Sequence, residues 1–151
     1  MTETEFRYYH SELIAYYQYI EMHLEGICAA LLADEEKDWF LGLKDYESDT
    51  IGMLINKLKQ IKKDQKTDYI SEDEFAQLDA VKERRNYWCH QCFVGVTPII
   101  FTRGKTPDDK KVRCPDYEDK IKKDLQTAIE WDEKLSGIFS AIKEDRKITF
   151  S

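Results

Sequence analysis

Glycine and proline are scarce, at 6 and 3 among 151 residues. So few interruptions argue against a many-turned β architecture and leave long helices easy to build. No apolar run approaches the roughly 18 residues that a membrane span requires. The start, Met1-Thr2-Glu3-Thr4-Glu5, is acidic and lacks the basic opening and apolar core of a secretory signal, so the expected location is the cytoplasm. Net positive charge is lacking as well: the formal charge is −7, which excludes nucleic-acid binding by whole-protein attraction. Cysteine is limited to Cys28, Cys89, Cys92 and Cys114. Cys89 and Cys92 form a CxxC, but a closed zinc site needs about four ligands, and the βαβ setting of a thioredoxin-like pair is absent. Buried, reduced thiols are the expectation, with no metal and no cofactor.

What is present suits one helical domain spanning residues 1–151. Hydrophobic residues make up 42% and charged residues 35%, a balance that supports a core and argues against disorder. Leu13, Tyr17, Ile20, Leu24, Ile27 and Leu31 recur at helical spacing and predict a first helix from about Glu5 to Ala33. The cluster Tyr8, Tyr9, Tyr16, Tyr17 and Tyr19 surrounds that helix more widely than one core stripe needs, which suits core packing or a subunit interface. His10 and His23 have no partner pattern. Ser48, Asp49 and Thr50 offer N-cap oxygens to a second helix whose buried side is Ile51, Leu54, Ile55, Leu58 and Ile61. Gly52 on that helix is the position for a close helix crossing.

Ser71 and Glu74 form a capping box that fixes the start of a third helix, which should end near Val94 to Val96. From Thr97 to Pro115 the helical period is lost, and a short hairpin closing on Lys111-Val112-Arg113 suits the β-prone and turn residues there. Asp116 is placed to cap a last helix with Ile121, Leu125, Ala128, Leu135, Phe139 and Ile142 inward. Asp132 falls on the same stripe. The sum is an all-α, up-and-down bundle of about four helices.

Charge is unevenly spread. Lysines gather at Lys57, Lys59, Lys62, Lys63 and Lys66, and a second basic group is Arg103, Lys105, Lys110, Lys111 and Arg113. Local fields of this kind can steer a polyanion, so Arg84, Arg103, Lys105, Lys111 and Arg113 are the candidate RNA contacts. Ordinary solvated faces would look the same.

One segment breaks its own pattern. Phe75, Leu78, Val81, Arg85, Trp88 and Cys92 share a helix face, so Arg85 stands where an apolar residue belongs. An unpartnered buried guanidinium costs several kcal/mol on an order-of-magnitude scale. Violations of this kind concentrate at functional or interface sites. Asn86 and His90 follow within the next turn and a half.

A capped helix that carries Arg85-Asn86-Tyr87-Trp88-Cys89-His90 resembles the HEPN superfamily, whose signature is Arg, a polar residue, and His after four to six intervening positions. Arg84 fits the spacing to His90 too, so either arginine could be the motif's. Thr50 to Leu58 also resembles the helix that pairs with the motif in many members. The resemblance covers essentially the whole chain and implies a metal-independent ribonuclease, active as a homodimer, of toxin–antitoxin or antiphage type. An antitoxin or a nucleotidyltransferase is the implied partner. Many toxin members continue the motif as His-x-Tyr, with the tyrosine a target of nucleotidylation; here that position is Cys92.

The residue types suit the chemistry. Imidazole moves protons near neutral pH, and a planar guanidinium holds charge on a phosphate. Asn86 is spaced to orient His90 on one helix face. In an α-helix, Arg85 and His90 diverge by about 140°, so two copies of the helix across a dyad would be needed to converge both pairs on one groove. The alternative is a catalytically inactive helical binding module in which Arg85, Asn86 and His90 form a structural polar network. A partner subunit to a nucleotidyltransferase is a third option.

Overall fold

The computed structural model describes residues 1–33, 42–46, 48–92 and 115–148. Among these, four helices make an all-α bundle: α1 (Glu3–Leu32), α2 (Ile51–Gln65), α3 (Glu72–Asn86) and α4 (Pro115–Asp145). A 3₁₀ turn, Lys44–Tyr46, precedes α2, and α3 continues into one π-helical turn, Tyr87–Gln91.

Each start has a chemical reason. The Thr2 side chain accepts from the Glu5 backbone N–H while the Glu5 carboxylate accepts from the Thr2 N–H, a capping box that begins α1 two residues earlier than its apolar stripe suggested. Thr50, of the three offered oxygens, caps α2 through the Met53 N–H. Ser71 and Glu74 cap α3 reciprocally, both at 3.1 Å. The described part of α4 begins at Pro115, so Asp116 lies inside the helix rather than ahead of it. Proline suits a first helical turn because its missing N–H would have no partner there.

The core is the union of the inward stripes. Leu13, Tyr17, Ile20, Leu24, Ile27 and Leu31 of α1 are all buried against α2, α3 and α4. Trp88, at 0% exposure, is the largest side chain sealed inside, and Trp131 joins the α4 stripe. The α2 and α3 helices run in opposite senses: Lys59 pairs with Asp79, and farther along α2 the Lys62 ammonium donates to the Ile70 carbonyl just ahead of α3. Gly52 lies against the Lys82 stem, where a Cβ would sit 3.2 Å from Cδ. Glu74–Lys134 and Arg84–Asp124 make α3 and α4 antiparallel. By contrast, α1 and α4 run side by side in the same sense, through Met1–Glu118, His23–Asp132 and Gly26 against Phe139.

One of those contacts changes two expectations. Asp132 is not an unexplained intrusion, because His23 Nε2 lies 2.9 Å from its Oδ1. His23 therefore does have a partner, one that lies 109 residues away. The expected end of α3 near Val94 to Val96, the hairpin and Cys114 lie outside the described residues. No helix among the described residues is long and apolar enough to cross a membrane.

Candidate functional site

The α3 helix reaches the motif with a full α-helical ladder and leaves it altered. The Cys92 N–H donates to the Tyr87 carbonyl, five residues back, so one extra residue is held in that turn. In an α-helix Cys92 N–H would have served the Trp88 carbonyl. That carbonyl instead accepts from His10 Nε2 of α1 at 2.9 Å and from the Cys92 thiol at 3.1 Å. His10 thus supports the turn, a role its sequence neighbours gave no hint of. Because His10 Nε2 donates to the carbonyl, it is unavailable as a base to the Cys92 sulfur 3.7 Å away. A cysteine–histidine nucleophile is ruled out at this position by that arrangement.

The π turn also changes the phase of the motif. With one residue more per turn, each residue rotates less than the α-helical value, so the separation of Arg85 and His90 narrows from the about 140° of a regular helix. Trp88 and Cys92 remain fully buried, while His90, between them, is exposed. Among the described residues the His90 ring has no hydrogen-bond partner.

Arg85 is half-buried, and its compensation comes from within the chain. Glu21 of α1 places Oε1 3.1 Å from Arg85 Nη2, with the two side chains 20% and 23% exposed. The guanidinium that breaks the apolar stripe thus has a charged partner inside the chain. Yet the match is incomplete: Glu21 Oε1 is buried and receives no aligned hydrogen bond. The attraction is coulombic, and the guanidinium keeps N–H groups to spare out of its five. One of these donates to Asn86 Oδ1 at 3.3 Å. The Asn86 carbonyl oxygen is thereby turned to Arg85 rather than to His90. Cys89 sits beside this pair; burial pushes its thiol up, Arg85 opposes that and Glu21 adds to it, so it stays a neutral thiol at pH 7.

Arg84 is occupied differently. Its Nε and Nη2 lie 2.7 and 2.6 Å from Asp124 Oδ2, and the Trp88 indole N–H donates to the same oxygen at 2.6 Å. The guanidinium also stacks 4.8 Å from the Tyr87 ring. Arg84 acts as a strut between α3 and α4. Asp124, which ties together an arginine and the central tryptophan, went unnoticed in the sequence.

Three of the five lysines on and just after α2 have partners within the chain, two of them carboxylates. Lys57 pairs with Asp49 and Lys59 with Asp79, while Lys62 serves a backbone carbonyl. Arg103, Lys105, Lys111 and Arg113, the other candidate RNA contacts, lie outside the described residues. Among the described residues no three His, Cys, Asp or Glu side chains group in a way that could hold a metal ion.

A cleft of about 190 Å³ opens between α3 and α4 with Tyr17 of α1 at its base. No protein-family model, curated protein or solved structure matches this chain.

Proposed function

We propose that the protein is a metal-independent RNA endonuclease of the toxin–antitoxin or antiphage type, acting as a homodimer. In this assignment His90 and Arg85 from two facing copies of the π-turned helix act on one phosphodiester. The observation that carries it is the solvent-exposed, uncommitted His90 on a π turn whose neighbours Trp88 and Cys92 are locked in the core. Local π turns recur at functional sites because they cost hydrogen-bond regularity that stability alone would not select.

The chemistry follows from the groups. His90 takes the proton from a ribose 2′-OH, whose oxygen attacks the adjacent phosphorus. Arg85 holds the negative charge that builds on the phosphoryl oxygens. The second copy's imidazole, protonated, gives a proton to the departing 5′-oxygen. The products are a 2′,3′-cyclic phosphate and a 5′-hydroxyl. Support also comes from the buried Glu21 oxygen that lacks an aligned donor, since unsatisfied groups in a folded protein tend to mark sites rather than cores.

A specific observation favours a second reading. The Glu21–Arg85 pair satisfies the arginine's charge without substrate or second subunit, as a catalytically inactive binding module would. Regulation at the His-x-Tyr position is disfavoured in either case, because Cys92 is 0% exposed and presents nothing to a modifying enzyme. An antitoxin or nucleotidyltransferase partner would have to act elsewhere.

The test is RNA cleavage in EDTA by wild type, His90→Ala and Arg85→Ala, with molecular mass measured in solution for each. Loss of cleavage in both variants with dimers retained supports the nuclease. No cleavage by a folded, dimeric wild type points to the binding module, and equal cleavage by all three sinks the assignment of these residues.

A further inference from the structure

The cleft between α3 and α4 takes no part in the chemistry proposed for His90. It is made by two helix faces that diverge. Gln77, the adjacent pair Ala80 and Val81, and Arg84 share one face of α3 at three- and four-residue spacing, and Asp124, Thr127 and Trp131 share one of α4. Ala80 supplies no side chain to fill the gap, and Tyr17 closes the bottom. The lining is mostly carbon, with Val81, Trp131 and the Tyr17 ring contributing.

Its polar groups are few, and apart from the Arg84–Asp124 pair they are uncommitted. Among the described residues, Gln77, Thr127 and the Tyr17 hydroxyl make no side-chain hydrogen bond, although Tyr17 is 3% exposed. Burial, and then the charge of Asp124, push the Tyr17 phenol up, so it remains a neutral hydroxyl. Asp124 directs Oδ2 at Arg84 and Trp88, and every contact it makes among the described residues falls on that oxygen. Oδ1 makes no hydrogen bond among the described residues, and Asp124 is one of the residues that line the cleft. An apolar slot with a few convergent polar groups is the usual form of a small-ligand site between helices of a bundle. At about 190 Å³ it is too small for a drug-sized ligand and exceeds the roughly 150 Å³ cavity that accommodates benzene.

We infer that this cleft binds a nucleobase: a flat ring packed against Trp131, Val81 and Tyr17, with an exocyclic amine or ring N–H donated to Asp124 Oδ1 and its edge read by Gln77 and Thr127. Aromatic surface gives base affinity, and an acceptor carboxylate selects bases that carry a donor. The inference deepens the RNA assignment by supplying base selection. It rests on that assignment only for the source of the base, which is either a nucleotide of the bound RNA or a free nucleoside.

The test titrates ¹⁵N-labelled full-length protein with adenosine, guanosine, cytidine and uridine, with ribose 5-phosphate, with toluene, and with a 2′-O-methyl RNA hexamer that cannot be cleaved. Ala80→Trp fills the cleft from an exposed helical position, and Gln77→Ala removes one reading group. The expected result is saturable shifts of Gln77, Thr127 and the Trp131 indole with at least one base-bearing probe, weakened tenfold or more by Ala80→Trp. Response to the hexamer alone identifies the base of an RNA, and response to a nucleoside as well identifies a free-nucleoside site. No saturable shift with any base, an equal response to toluene, or equal affinity in a folded Ala80→Trp protein would overturn the inference. Were Ala80→Trp not to fold, unchanged affinity in Gln77→Ala together with shifts outside the cleft would do so. Cleavage dependent on His90 without cleft binding removes this inference alone, and cleft binding by a protein that cuts no RNA removes the nuclease alone.

Discussion

Replacing Asp124 by alanine isolates the strut that distinguishes the two arginines. Asp124 Oδ2 receives the Trp88 indole N–H and two nitrogens of Arg84. Trp88 is 0% exposed, so its N–H cannot turn to water once the carboxylate is gone. An unsatisfied buried donor costs about 1–3 kcal/mol. The Arg84 side chain is 38% exposed and can rehydrate, so its ion pair adds only about 0.2–1 kcal/mol. The sum, about 1–4 kcal/mol, corresponds to a fall in Tm of roughly 2–16 °C for a domain of this size. Urea unfolding followed by far-UV circular dichroism at neutral pH measures it. In a Trp88→Phe background the indole donor is already absent, and Asp124→Ala should then cost only the Arg84 share. A coupling of about 1–2 kcal/mol between the two sites is expected. A cost below about 0.5 kcal/mol for Asp124→Ala, or the same cost in both backgrounds, would refute the account of Trp88 as held by this carboxylate.

Other consequences are open to measurement. His90→Ala should lower RNA cleavage by about 10²–10⁴ with no change in the urea midpoint, because the ring is exposed and unbonded. Arg85→Ala should lower it by about 10²–10³, in contrast to Arg84→Ala, whose main effect should be on stability. His10→Ala should destabilise by about 1 kcal/mol by leaving the Trp88 carbonyl with only the weak Cys92 thiol donor, and amide exchange at Cys92 should quicken. The Glu74 carboxyl is held below the ordinary carboxylate range, first by Lys134 and then by its capping role despite partial burial. A depressed folded value means its contribution is complete above the unfolded carboxylate value and is lost as pH falls through the folded one. The urea midpoint of wild type should therefore decline more steeply below about pH 4.5 than that of Lys134→Met.

The apolar faces of all four helices and the Ser71–Glu74 box were readable in the chain, because three- and four-residue periodicity and capping chemistry are local. The Thr2–Glu5 box has the matching Thr-x-x-Glu spacing, but it lies ahead of the α1 apolar stripe, where periodicity gives no sign of a helix. The partners were not readable. Glu21 reaches Arg85, His23 reaches Asp132 and Asp124 reaches Trp88 across 64, 109 and 36 positions of chain, distances over which no periodicity carries information. Nor was the π turn, since both the α-helical pattern and the turn place Trp88 and Cys92 inward. The Cys92 N–H bonded five residues back to Tyr87 and the His10 contact with the freed Trp88 carbonyl distinguish them.

These pairings separate polar residues that merely complete a core from those with capacity left over. Asp132, on the inner stripe of α4, has a hydrogen-bonded histidine opposite it. Asp124 engages two residues, and Arg84 is engaged by it and by an aromatic face. Such groups have most of their desolvation offset inside the chain, and only the second oxygen of Asp124 keeps capacity for a ligand. Arg85 differs in kind, because Glu21 stands at ion-pair distance with its buried oxygen out of hydrogen-bond alignment. A phosphate oxygen aligned with the spare N–H groups would gain what Glu21 does not supply, and the glutamate would then be a competitor that holds the arginine in place until a polyanion arrives. On that logic Glu21→Gln should strengthen RNA binding while lowering stability, whereas a purely structural pair would lose stability and gain no affinity for RNA.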